Sequence, residues 1–241
     1  VDLSIIHGKV VVERGQLLTL EMTKPLQRHR EISKMMLTSW LQFQALSERI
    51  TIVSASLQKV FLTPQDLMDS SIQLAEKIYD SGFRPDFIVA IWRGGTPVGI
   101  VVQELFEYFG VSTDHIAIRT SYYTGLNQTA REVKVHGLEY LLKHINAPDS
   151  LLIVDDVFDS GNSIKAALER IRNEARLNTP HDIRIATPYF KPNKNQTTLR
   201  PDYYVHETDE WLVFPHELKG LSKEEIREHK PWVKDWIEKH L

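Results

Sequence analysis

The sequence predicts an α/β protein, a parallel sheet flanked by helices, carrying an N-terminal β-hairpin and helix as an extension. Two short runs, Phe87–Ile91 and Leu151–Val154, are apolar at every position, as strands are when both of their faces are covered. Each runs into a turn containing glycine and then into a segment with apolar residues at helical spacing, the alternation that builds βαβ units. In such a sheet ligands sit at the carboxyl ends of the strands, so those two turns are where function is sought.

The elements follow in order. Leu3–Ile6 and Lys9–Val12 read as strands around His7-Gly8, with a second turn at Arg14-Gly15. Between Lys24 and Arg49 the residues Ile32, Met35, Met36, Trp40, Phe43 and Leu46 recur at helical spacing, and Ile50–Lys59 reads as a linker. Thr63-Pro64 opens a helix capped by Thr63 and ended near Gly82, with Leu67, Ile72, Leu74, Ala75 and Ile78 as its apolar positions. After the first buried strand, Gly94-Gly95 breaks the chain and Val98–Phe109 is helical. Ile116–Ile118 is a short strand, Arg119–Gly137 a long polar loop, and Leu138–His144 a helix. The second buried strand leads to a helix over Ser163–Ala175; Ile183–Tyr189 and Tyr203–Val205 complete the sheet. Ser222–Leu241 opens with a capping-box spacing and reads as one packing helix bearing Trp232 and Trp236.

Composition narrows the function. The 241 residues contain no cysteine, so a disulfide framework and a thiolate metal site are excluded, and the ten histidines show no close metal-ligand spacing. A net charge of -3 provides no basic field for nucleic acid or an anionic membrane, and no apolar run approaches the roughly 18 residues of a membrane span. The expectation is a cytoplasmic protein that binds neither nucleic acid nor membrane. The chain begins at Val1 instead of methionine, which points to a fragment, a processed chain or an unusual start.

The chemistry-bearing segment is Leu151–Ser163. A greasy strand runs directly into Asp155, Asp156 and Asp159, and then into Ser160-Gly161-Asn162-Ser163 at the start of a helix. Adjacent acids at a strand end are costly unless something uses them. The turn gathers backbone N–H groups, hydroxyls and a helix N-terminus around one point, which suits a phosphate. Neither a P-loop nor a dinucleotide fingerprint is present.

This segment resembles the phosphoribosyl diphosphate (PRPP) motif of type I phosphoribosyltransferases: a four-residue apolar strand, two acids, two variable residues, then Asp-Thr/Ser-Gly-x-Ser/Thr. The resemblance implies that Asp155 and Asp156 lie near the ribose hydroxyls, directly or through Mg²⁺. It implies that Ser160, Gly161, Asn162 and Ser163 hold the 5′-phosphate, and that Asp159 acts as general acid/base near the purine N7. Arg93 and Gly94, within Trp92-Arg93-Gly94-Gly95-Thr96, resemble the family's diphosphate loop, in which the Arg93–Gly94 peptide would be cis. Ser121-Tyr122 occupy the place of the Ser-Tyr pair on the family's flexible lid, which excludes water while positive charge develops on the ribose.

The last third resembles the xanthine-guanine and hypoxanthine-guanine branch. By that likeness Lys191 meets O6, Trp211 stacks on the base, the backbone of Leu212 reads the 2-position, and Glu217 joins Asp155 and Asp156 in binding magnesium. A lone lysine also favours a carbonyl oxygen over the amino group of adenine. The implied protein is a homo-oligomeric (dimer or tetramer) purine phosphoribosyltransferase with PRPP and a 6-oxopurine as substrates and Mg²⁺ as cofactor. Guanine, xanthine and hypoxanthine stay unranked. The competing readings are a PRPP- or nucleotide-binding regulator of the same fold, and a transferase for another base. The domains expected are an extension over 1–57, the transferase over 58–219 and a C-terminal helix over 220–241. Residues 1–50, above all Ile5-Ile6-His7-Gly8-Lys9-Val10-Val11-Val12-Glu13, resemble the C-terminal end of cytosine-deaminase-type amidohydrolases; that family's metal ligands are not in this piece, and no deaminase activity is expected.

Overall fold

The computed structural model describes residues 3–6, 9–13, 16–17, 34–39, 59–123 and 132–240. The chain divides into two compact units, Val1–Leu57 and Gln58–Leu241. In the first, β1 (Leu3–Ile6) and β2 (Lys9–Glu13) pair antiparallel, and β3 (Gln16–Leu17) adds to β2. Of the long helix expected over 24–49, a helical stretch α1 (34–39) is described, and its residues are exposed; the rest, with Ile50 to Gln58 of the expected linker, lies outside the described residues.

The second unit is built on a seven-stranded sheet. Its main path runs β11 (Tyr203–Glu207), β10 (Asp182–Phe190), β8 (Ser150–Val154), β5 (Phe87–Trp92), β6 (Asp114–Tyr123), β7 (Glu132–His136), and β9 (Val157–Phe158) pairs with β10. Every pairing is parallel except β6 with β7. One face is covered by α2 (Pro64–Asp80) and α3 (Gly95–Tyr108), the other by α4 (Glu139–His144) and α5 (Asn162–Ala175). The period of two explains the all-apolar runs. Leu151 and Ile153 face the α5 core while Leu152 and Val154 face the α2/α3 core, so each strand feeds both.

Helix α2 starts where its sequence signals place it. Thr63 caps it in a reciprocal box with Asp66, Pro64 fills the first turn, and Gly82 follows its end at φ +82°.

Three sequence expectations are corrected. The polar stretch 119–137 is not one loop: β6 continues to Tyr123 and β7 returns antiparallel to it, with Tyr122 opposite Val133. Val133 and Val135 alternating with Lys134 and His136 are the strand signal, short and half-polar because this is a sheet edge. The tail is two helices, α6 (Lys223–His229) and α7 (Pro231–His240), because Pro231 lacks an N–H and drives Lys230 out of helical geometry to φ -130°, ψ 55°. Finally, Lys59 belongs to β4 (Lys59–Phe61), which forms a separate parallel ladder with β12 (Trp211–Val213).

Candidate active site

The site forms where the central ladder is interrupted. The β8–β10 pairing ends at Val154↔Ala186 and the β9–β10 pairing begins at Val157↔Tyr189. Opposite the gap β10 carries Pro188, which has no N–H to give a ladder, so the chain between β8 and β9 is released from regular pairing. Asp155 and Asp156 occupy that gap. Asp155 N–H still reaches the Ala186 carbonyl at 3.2 Å, and Asp156 N–H donates to Asp155 Oδ1 at 3.0 Å.

Burial and the neighbouring Asp156 carboxylate push Asp155 well above the usual carboxylate range, opposed by N–H donation from Asp156 and Gly95. A crowded pair of acids with oxygens at the mouth of a strand gap is arranged to receive hydroxyls or a cation.

The diphosphate-loop candidate is packed directly on this pair. A Cβ at Gly95 would lie 2.5 Å from the Val154 carbonyl oxygen and 2.8 Å from Asp155 Cα. Arg93 is exposed beside it. The cis peptide lies between Trp92 and Arg93, one residue before the position expected from the family likeness.

A cavity of about 180 Å³ opens along Asp155–Gly161, Ser163 and Ile164. Gly161 turns the chain at φ +75°, and α5 begins directly behind it, with the Asn162 N–H donating to Ser160 Oγ at 3.4 Å and Ser163 and Ile164 lining the cavity. The cradle is braced from two sides that the sequence reading did not identify. Thr120 of β6 donates to Ser163 Oγ at 3.4 Å. From the segment after β10, Gln196 N–H donates to the Ser160 carbonyl and Gln196 Oε1 accepts from the Asn162 amide at 3.1 Å. Asp159 stands half-exposed at the lip, and the buried Lys191 ammonium lies 3.2 Å from its Oδ2.

The other expected residues are placed differently. Ser121 and Tyr122 lie in β6, on the stem of the expected lid; residues 124–131 are outside those described. Trp211 and Leu212 sit on the β4–β12 ladder, Trp211 half-exposed with Lys59 Nζ 5.5 Å from its ring centre, Leu212 buried. Glu217 is not brought to the acid pair. Its Oε2 accepts the Phe214 N–H at 3.0 Å, and no group of three potential ligands capable of holding a metal occurs among the described residues. Its neighbour His216 is the residue that reaches the acids, with Nε2 3.5 Å from Asp156 Oδ2. Nothing in the residue pattern flagged His216, since its approach depends on the tight turn after β12. Asp155 and Asp156 offer two hard oxygen donors of the kind a magnesium ion takes.

Residues 61–222 match the phosphoribosyl transferase domain family, and the chain belongs to that family. It is 27% identical to a purine phosphoribosyltransferase of Pyrococcus horikoshii, with a TM-score of 0.52 over 68% of this chain and 97% of that one. A Neisseria gonorrhoeae protein solved with bound ppGpp has the same fold, at a TM-score of 0.59 and 23% identity over 72% of this chain and 94% of that one. Orotate phosphoribosyltransferase of Caenorhabditis elegans is 24% identical over 139 residues, 57% of this chain and 54% of that protein. The chain thus spans about half the length of that curated relative. No helix among the described residues is long and apolar enough to cross a membrane.

Proposed function

We propose that the chain is a purine phosphoribosyltransferase, transferring the 5-phosphoribosyl group of PRPP to N9 of a 6-oxopurine and releasing diphosphate, in cytoplasmic purine salvage. The observation that carries this reading is the pair formed by the buried Lys191 ammonium and the half-exposed Asp159 carboxylate at the lip of the cradle. A buried, tethered ammonium is a donor for a carbonyl oxygen and a poor neighbour for an amino group. An accessible acid beside it is suited to the purine N7. The Pyrococcus horikoshii neighbour, a purine phosphoribosyltransferase, supports the same choice.

In this reading Ser160, Gly161, Asn162 and Ser163 take the 5′-phosphate, Asp155 and Asp156 the ribose hydroxyls, and Arg93 with the Gly94 backbone the diphosphate. The C1′–O bond breaks with its electron pair leaving on diphosphate, the N9 lone pair of the N7-protonated base forms the C1′–N9 bond, and the N7 proton passes to the Asp159 carboxylate. Asp159 manages proton charge at N7 while Lys191 holds O6. Trp211 offers a face to the base and the Leu212 backbone reads its 2-position. Ser121 and Tyr122 lead into a lid that keeps water from C1′. Asp155 and Asp156, together with donor oxygens, would hold magnesium, which when bound would supply positive charge against the leaving diphosphate; Glu217 orders its own turn and is left out of that set. The active form is a homo-oligomer, dimer or tetramer, and residues 1–57 are an appended piece akin to an amidohydrolase tail without deaminase activity.

The orotate phosphoribosyltransferase relative favours a second reading, transfer to a pyrimidine, because a single lysine also suits orotate oxygens. Incubating the full chain and PRPP with guanine, xanthine, hypoxanthine, adenine, orotate or uracil, and following diphosphate release, separates the two. Turnover confined to 6-oxopurines is expected. Turnover with orotate alone replaces this reading by the second, and turnover with no base replaces it by a regulatory protein of the same fold.

A further inference from the structure

Lys230 is a fully buried charged side chain at the junction of α6 and α7, at 0% exposure. Its Nζ donates to the Phe214 carbonyl at 2.5 Å and stands 5.6 Å from the centre of the Trp232 ring. Burial holds this amine below its ordinary pKa, with Glu217 as the opposing charge. An apolar side chain of similar length would fill the same space without the cost of desolvating an ammonium. What a lysine adds is a fixed donor.

The group it holds is at the centre of a tight turn. The Phe214 carbonyl also accepts the Glu217 N–H at 3.0 Å, while the Phe214 N–H donates to Glu217 Oε2 at 3.0 Å. Both polar groups of Phe214 are therefore tied to charged side chains. The turn directly follows β12, which carries Trp211 and Leu212. It presents His216, whose ring lies nearly parallel to Phe214 with centroids 5.7 Å apart, toward Asp156. The ammonium is itself delivered by a fixed element: α6 is fastened to β4 by the Lys59–Glu225 ion pair at 2.6 Å and by His229 stacked on Phe61 at 4.0 Å.

We propose that Lys230 is a positioning residue which, from the junction of the C-terminal helices, fixes the Phe214–Glu217 turn and thereby sets the base side of the site and the approach of His216 to Asp156. Its kinetic consequence rests on the reading of Trp211 and Leu212 as base contacts; its structural consequence does not.

The test is Lys230→Met in the full chain, with Lys230→Gln, which keeps a neutral donor, as the second variant. In K230M the KM for the base is expected to rise about tenfold with kcat within about threefold of the native chain, and the melting temperature to be unchanged or higher because a buried charge is gone. The amides of Phe214 and Glu217 are expected to exchange with deuterium about tenfold faster, while those of Leu152 and Ile153 keep their native rates. K230Q is expected to fall between K230M and the native chain. Exchange at both turn amides within twofold of native in K230M overturns the proposal, and so does a uniform loss of melting temperature with kinetic constants unchanged. A native chain inactive with every base removes the proposed function and leaves the exchange comparison to decide the role of Lys230. If K230M does not fold, K230Q decides by the same measurements.

Discussion

A Cβ atom added to Gly94 would lie 1.7 Å from Asp156 Oδ2 and 2.1 Å from its carboxyl carbon, so the Asp156 carboxylate rests in space that only glycine leaves open. His216 meets the same oxygen from another direction at 3.5 Å. The carboxylate therefore cannot withdraw without losing a contact that holds it. Gly94→Ala is expected to displace Asp156, raising the KM for PRPP at least tenfold at a stability cost of about 1–3 kcal/mol, the usual range for inserting a methyl group into a packed site. Initial-rate kinetics together with denaturant melts check it; an unchanged KM for PRPP would show that Asp156 does not touch the donor.

Asp159 separates binding from chemistry. It stands on the lip of the cradle, paired with Lys191, and the segment assigned to the 5′-phosphate begins one residue later. Asp159→Asn keeps the shape and an oxygen for Lys191 but removes the proton acceptor. Turnover is expected to fall about 10²- to 10⁴-fold, the typical share of a general acid/base, with the KM for PRPP within about threefold. Steady-state rates near neutral pH decide it, and near-native turnover would take Asp159 out of the mechanism.

The Lys59–Glu225 pair gives the clamp on α6 a pH dependence with a definite sign. Hydrogen bonding from Lys59, followed by that from the Ser222 backbone, holds the Glu225 carboxyl below its ordinary 4.5. An acid with a lowered folded-state pKa contributes stability that is fully present above the unfolded value and is lost as pH falls through the folded value. Glu225→Gln keeps the capping-box geometry with Ser222 and removes the charge. Its melting temperature is expected to lie slightly below native at pH 7, and the two curves to converge as the pH is taken below 4.5. Parallel curves down to pH 3 would show that the ion pair contributes nothing.

What the sequence discloses about this molecule depends on how local the cause is. Leu151–Val154 reads correctly because burial on both faces leaves a mark on every residue, and the gathering of the acids and the Ser-Gly turn around one cavity is legible because its lining is made largely by consecutive residues. The strands β6 and β7 that flank residues 124–131 are hard to see in the sequence because an edge strand needs only one apolar face, so Val133 and Val135 give a two-residue signal inside a polar stretch. Glu217 turns away from the acids and His216, which no residue pattern marks, approaches Asp156 instead, because the direction of each is set by a turn, not by spacing along the chain. Lys230 was invisible as a buried residue: its burial is decided by Pro231, which breaks the helix and turns the lysine inward onto a carbonyl 16 residues earlier.

Gly161 offers the sharpest separation of donor binding from base binding, because three constraints meet on one atom position. Its backbone is left-handed at φ +75°, a conformation that costs an L side chain roughly 1–2 kcal/mol. An added Cβ would also lie 2.6 Å from Thr197 Oγ1 and 2.9 Å from two carbons of the Phe158 ring. Thr197 cannot swing aside freely, since its hydroxyl donates to Asn195 Oδ1 at 2.9 Å and accepts from the Leu199 N–H at 3.2 Å. Phe158 cannot move either, being buried and packed edge-on against Phe190. The turn itself must therefore shift, carrying away the N–H groups of Asn162 and Ser163 that start α5. Gly161→Ala is expected to raise the KM for PRPP by tenfold or more, with the KM for the base within about twofold and a stability loss of about 2–4 kcal/mol from strain and overpacking together. Two-substrate kinetics read both constants in one experiment. A variant whose base KM rises while its PRPP KM holds would mean that the cradle faces the base, and the assignment of Ser160–Ser163 to the phosphate would have to be reversed.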